Sequence, residues 1–146
     1  MYSAQIDIGA PPNRVFAVLT DLSLLKLWSP EVIEARWEGE LGVGAVNHAL
    51  VKEFGQRFPV KLLVTRYEKD AAIGYKMTTP MWSGNVEYLL KSQPQGTSLD
   101  LLFTPVTPGG WKRIPAILIA KATRPMVQRI HRKRLEALRS VVEARS

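Results

Sequence analysis

The segment from Pro125 to Ala144 restricts the fold of this chain more than any other. At about 100° per residue, Val127, Ile130, Leu138, Val141 and Val142 gather on one side of a helix there. Gln128, Arg129, Arg132, Lys133, Glu136, Arg139, Ser140 and Glu143 gather on the other. A long amphipathic helix needs an apolar surface to lie on, and the preceding residues supply one. Between Val32 and Pro105 the pattern repeats every two residues, with strands predicted at Val32–Glu38, Ala45–Phe54, Phe58–Val64, Ala71–Thr78, Ser83–Ser92 and Thr97–Thr104. Gly39–Gly44, Gly55-Gln56, Thr79-Pro80 and Pro94-Gln95-Gly96 punctuate them. A further strand, Ala4–Ile8, opens the chain. It is followed by Gly9-Ala10-Pro11-Pro12, with Pro12 suited to a first helical turn. Val15, Phe16, Val18 and Leu19 give that helix an apolar face. Asp21 is placed to cap a second short helix that must stop near Ser29, ahead of Pro30. Short strands without intervening helices imply an antiparallel meander. The expected fold is α+β: a curved antiparallel sheet of about seven strands around a long C-terminal helix, with two short helices after strand one. Another helix is expected over Trp111–Thr123, with Pro125 breaking or kinking the path between the two. The concave face of such a sheet is too wide for one helix to fill, so the arrangement can leave a cavity between them, unless Ile114, Leu118, Met126 and Leu138 fill it.

Composition narrows the functional classes. A chain of 146 residues with 46% hydrophobic and 23% charged residues suits one domain, 1–146, with a real core. There are no cysteines, which removes disulfides, thiolate zinc sites and cysteine nucleophiles, and only two histidines, so no metal or cofactor site is expected. The longest apolar run, Pro115–Ala120, is far below the ~20 residues of a membrane span. The N-terminus has no basic stretch followed by an apolar one, and a cytoplasmic location is expected. The net charge of +7 is concentrated: residues 1–110 hold 10 Lys/Arg against 11 Asp/Glu, and residues 111–146 hold 10 against 2. His131-Arg132-Lys133-Arg134 invites a nucleic-acid reading, but helical geometry turns Arg132 and Lys133 outward and Arg134 inward. Glu136 and Glu143 share the outer face, so nucleic acid is not an expected partner.

Ala10-Pro11-Pro12-Asn13-Arg14-Val15-Phe16-Ala17-Val18-Leu19-Thr20-Asp21 and Trp28-Ser29-Pro30-Glu31-Val32 carry a family resemblance, supported by Val43-Gly44-Ala45 and Gly96-Thr97-Ser98-Leu99. In their order and spacing the chain resembles the polyketide cyclase/dehydrase and lipid-transport family. That family lies within the START-related helix-grip (SRPBCC) superfamily, which includes plant pollen allergens. The resemblance implies the helix-grip fold and a deep apolar cavity. It leaves the chemistry open among lipid carriers, hormone binders and aromatase/cyclases.

The expected function is binding, for sequestration or transport, of a hydrophobic small molecule or lipid. The alternative is an aromatase/cyclase or dehydratase acting through polar cavity residues. Alternation places Phe58, Val60, Leu62 and Val64 on one face, with Ile73, Tyr75, Met77, Val86, Tyr88, Leu90, Leu99, Leu101 and Phe103 on equivalent positions of later strands. Of these, Phe58, Leu62, Tyr75, Met77, Tyr88, Leu101 and Phe103 are the candidate ligand contacts, joined by Met126 and Ile130 on the helix. The tyrosines stand out because a buried hydroxyl wants a partner and can orient a ligand. Arg134 falls at the centre of the apolar stripe and His131 nearer its edge. A buried guanidinium must be paired, either with a carboxylate or phenolate of the ligand or with a strand carboxylate such as Asp100 or Glu53. His48, in phase with Val46 and Leu50, is read as inward-facing. His48, Tyr75, Tyr88 and Arg134 are the catalytic candidates for the enzymatic alternative. Trp28, Trp82 and Trp111 sit at element ends, where loops would ring a cavity mouth. Met81-Trp82, beside Lys112 and Arg113, would suit transient contact with a membrane surface.

Overall fold

The computed structural model describes residues 2–53, 55–80, 82–106 and 113–145, and for residues 113–124 the backbone only. Met81, Trp111, Lys112 and the side chains of Arg113, Ile114 and Leu118 therefore lie outside the described residues. β1 (Tyr2–Ile8) leads into α1 (Pro12–Thr20), a 3-10 turn at Leu22–Leu24 and α2 (Leu25–Trp28). The meander follows as β2 (Val32–Glu38), β3 (Val46–Glu53), β4 (Gln56–Glu68), β5 (Ala72–Thr78), β6 (Ser83–Gln93) and β7 (Gly96–Val106). α3 (Arg113–Ala144) closes the fold. Pro12 opens α1 as its sequence position implies. Asp21 caps the 3-10 turn, its Oδ1 accepting from the Ser23 N–H at 2.9 Å.

The seven strands form one antiparallel sheet in the order β1-β7-β6-β5-β4-β3-β2, so β1 pairs with the last strand rather than with its neighbour in sequence. Register shifts between Val32 and Glu34 in β2, and between Val64 and Arg66 in β4, mark bulges. Each bulge bends its strand and turns subsequent side chains to the opposite face. Gly96 makes the close approach at the start of β7 possible. Its φ is +141°, and a Cβ there would lie 2.1 Å from the Ile8 carbonyl oxygen. No side chain fits this position.

α3 differs from the expectation in two respects. It is one helix that continues through Pro125, with no break into two. Its buried face is also rotated. His131, Leu135, Leu138 and Val142 are buried, whereas Ile130 is exposed. From the 3.6-residue geometry, the buried face is displaced by about 60° from the stripe expected from the sequence. His131 therefore moves to the middle of the face and Arg134 to its edge. Leu135 and Leu138, 1% and 0% exposed, lock this rotation against the core. Among the described residues no helix is long and apolar enough to cross a membrane.

Candidate functional site

The registers gather one set of side chains on the face that carries the core. Tyr75 lies opposite Val64 and Val86, Tyr88 opposite Ile73 and Leu101, and Phe103 opposite Val86 and Tyr2. Leu62 and Met77 are opposite one another and half-buried, packing against both the main cluster and a smaller one. That smaller cluster consists of Val32, Ala49, Val51 and Val60, with Phe58 half-buried against it. Leu101 is buried outright. Gly84 helps to place Phe103: a Cβ at Gly84 would lie 3.0 Å from the phenyl ring.

Aromatic contacts link these strands to the helices. Trp28, at the end of α2, stands edge-on to Tyr88 with ring centroids 6.4 Å apart. His131 on α3 lies against Phe103 at 5.5 Å, and Trp82 meets the same phenyl ring edge-on at 5.6 Å. Trp82 is 44% exposed, but its backbone is held: its N–H donates to Thr79 Oγ1 at 3.0 Å and its carbonyl accepts from the Thr79 N–H at 2.9 Å. Met126 and Ile130, expected as ligand contacts, are 52% and 45% exposed, and Leu27 and Val106 are also exposed. β5, β6 and β7 meet this end of the sheet at Thr78, Ser83 and Val106. It therefore combines buried aromatics with an apolar rim.

The polar groups at this end form a cluster. Arg134 Nη2 donates to Glu31 Oε1 at 2.5 Å, and both side chains are largely buried, at 22% and 21% exposure. The guanidinium thus has a partner within the protein, and that partner is neither of the strand carboxylates expected for it. Asp100 lies opposite Gln5 and Leu89, out of phase with the inward Leu99 and Leu101. Glu53 does sense the pair. Burial raises its carboxyl above the usual carboxylate range, the Glu31 carboxylate raises it further, and Arg134 pulls it partly back. Burial likewise raises the Tyr88 phenol, with Arg134 acting against the shift and Glu31 adding to it. Tyr75 is raised by burial, helped by Tyr88 and Tyr67. Both tyrosines are neutral at physiological pH. His131 is lowered to about 4, by burial first and by Arg134 second, so its imidazole is neutral as well. Both ring nitrogens of His131 and the Trp28 indole N–H are buried without a hydrogen-bond partner among the described residues. Leaving such groups unpaired is costly.

His48 does not join this cluster. It lies opposite Arg36 and Lys61, and its Nε2 is 2.5 Å from Glu38 Oε2 on the outer face. The inward residues of β3 are Asn47, Ala49 and Val51. Apolar residues occupy both faces of this strand, so alternation alone gave no unique phase. His48 instead lines a shallow outer depression with Glu34, Arg36, Leu50 and Pro59.

Three interior residues were not singled out from the sequence. Trp37 stacks on Tyr75 at 6.5 Å, and Tyr67 meets Phe16 edge-on at 5.5 Å. Both follow bulges, which reverse the two-residue phase. Glu31 sits in a turn before β2, where periodicity carries no information. Its position after Trp28-Ser29-Pro30 was the available signal. Among the described residues, no group of three or more His, Asp or Glu is placed to hold a metal ion.

These features define a class: a curved sheet gripping a long helix, with a mostly apolar interior and a small polar cluster at one end of the sheet. The family model described as polyketide cyclase / dehydrase and lipid transport matches residues 2–143, and the chain belongs to that family. A sequence search of curated proteins finds no match. Solved structures share the fold at low identity. A Staphylococcus aureus protein of unknown function superposes with a TM-score of 0.78 at 12% identity, covering 97% of this chain and 92% of its own. The Zhui aromatase/cyclase of a Streptomyces species gives 0.74 at 20% identity, covering 98% and 93%. Ara h 8.0201 gives 0.68 at 15% identity, covering 98% and 97%. At these identities the similarity is one of fold.

Proposed function

We propose that this protein binds an apolar small molecule or lipid between the concave face of the sheet and α3. The observation that carries the reading is the set of buried, unpartnered polar atoms on Trp28 and His131, set among Tyr88, Phe103 and Leu101. Burial of apolar ligand surface, at roughly 25 cal/mol per Å² before association costs, would supply the affinity. The polar atoms would fix the ligand's orientation. The exposed side chains Leu27, Trp82, Val106, Met126 and Ile130 are suited to an entrance for apolar ligands, and to transient contact with a membrane surface. Native mass spectrometry of gently purified protein, followed by solvent extraction, tests the reading. A discrete retained mass supports it. A protein that neither retains a molecule nor takes up an added apolar reporter dye overturns it.

A second reading, cyclisation or dehydration of a polyketide-like substrate, is favoured by His131. A neutral imidazole with two unpartnered nitrogens can accept and return a proton. The readings separate on one variant. In a carrier, His131→Phe leaves ligand retention within a few-fold. In an enzyme, it abolishes conversion of the bound molecule while retention persists.

A further inference from the structure

Resting on the binding reading above, we infer that the interior selects an uncharged ligand bearing a hydrogen-bond acceptor over a carboxylate of matched apolar length, and that Glu31 sets this preference by occupying Arg134. The starting point is the charge arrangement. Among the described residues, Arg134 is the cation whose field reaches both Tyr88 on the sheet and His131 on the helix. Left free, it would attract an anionic ligand head group. Glu31 holds it at 2.5 Å, with both side chains about four-fifths buried. Glu53 adds a second carboxylate close enough to feel both members of the pair. Ionised, the three groups sum to one negative charge. An entering carboxylate would lose its hydration, find the guanidinium engaged and meet like charge.

Among the described residues, the buried side chains with unpaired polar atoms are Trp28, His131, Asn47 and Gln128, all neutral, and the first two lie beside the charged cluster. The Trp28 indole can only donate, and it is 5% exposed with no acceptor among the described residues. His131, 8% exposed, offers one donor and one acceptor in its neutral form. A carbonyl, ester or hydroxyl oxygen satisfies these donors without bringing a charge into the interior. Glu31 is thus a specificity-determining residue that acts through Arg134. It is contributed by the turn between α2 and β2, 103 residues away in the chain.

The experiment uses the full chain, Nile red as a neutral reporter, and two competitors of equal chain length, methyl decanoate and decanoate. At about pH 8 decanoate is fully ionised. The wild type is expected to bind the ester about tenfold or more tightly than the carboxylate. In Glu31→Gln the guanidinium is released, and the ratio should move by about tenfold or more toward decanoate, with ester affinity changed less than about threefold. Glu53→Gln, which removes charge without breaking the ion pair, should move the ratio in the same direction by a smaller factor. It provides the test if Glu31→Gln does not fold. A wild-type preference for decanoate, or a ratio indifferent to both variants, overturns the inference and leaves the binding reading standing. Failure of Nile red and both competitors to bind overturns the binding reading, and this inference with it.

Discussion

Two successive stretches of α3 behave as different materials. From Leu135 to Val142 the helix is a dry clamp: Leu135, Leu138 and Val142 are almost fully buried, and the helix there packs against the region of β1 and α1. Glu143 ties down the end by accepting the Gly9 N–H at 2.8 Å. From Met126 to Arg134 the same helix presents an exposed apolar edge, an unpartnered imidazole and a guanidinium in an ion pair. The buried anchor and the unpaired polar atoms therefore fall on separate stretches of one element. The clamp can hold α3 on the sheet while the other stretch keeps polar atoms unpaired, which a close-packed core would not tolerate.

The largest test of this contrast is mutation in the two stretches. Leu138→Ala should cost about 2–5 kcal/mol in denaturant unfolding, because its neighbours cannot collapse into the space left behind. Ile130→Ala, at a residue 45% exposed, should stay within about 0.5 kcal/mol. Equal losses would dissolve the distinction between the stretches. Next in size, Arg134→Met leaves Glu31 and Glu53 without their cation. A pair this buried lies between the surface and interior cases, so the expected loss is about 1–3 kcal/mol. Adding Glu31→Gln to that variant should recover part of it, as read from a double-mutant cycle. No recovery would mean that the charges do not couple.

The smallest effect concerns pH. His131 is lowered in the folded state, so between its ordinary value of 6.5 and about 4 the unfolded chain carries a proton that the folded chain does not. The stability this imidazole contributes is complete above about pH 6.5 and is lost as the pH falls toward 4. The slope is at most about 1.4 kcal/mol per pH unit. Between pH 7 and 5 the melting temperature of the wild type should fall relative to that of His131→Leu, whichever of the two is the more stable at pH 7. Parallel curves would mean that the imidazole is not held neutral by the fold.

Much of the architecture was legible because alternation is a local property. The inward set from Phe58 through Phe103 follows from two-residue periodicity, and the registers place these residues opposite one another as that pattern requires. Legibility failed where the period was interrupted or ambiguous. The bulges in β2 and β4 carried Trp37 and Tyr67 to the inner face against simple counting. β3 has apolar residues on both sides, so its alternation admits an inward His48, whereas Asn47 is the buried neighbour.

The sequence by itself determined the sheet, the helix that lies on it and the aromatic character of the interior, since each follows from side-chain spacing along a few consecutive turns or strands. Only the tertiary structure decided how far α3 rotates and which charge meets Arg134. Helical periodicity defines an apolar face to within a residue or so. The final angle is set by how Leu135 and Leu138 fill the core, and by Glu31, brought from the far end of the chain to bond a guanidinium at the helix edge. A long-range ion pair leaves no periodic mark on the residues that make it, so Glu31 became visible only once the chain had folded.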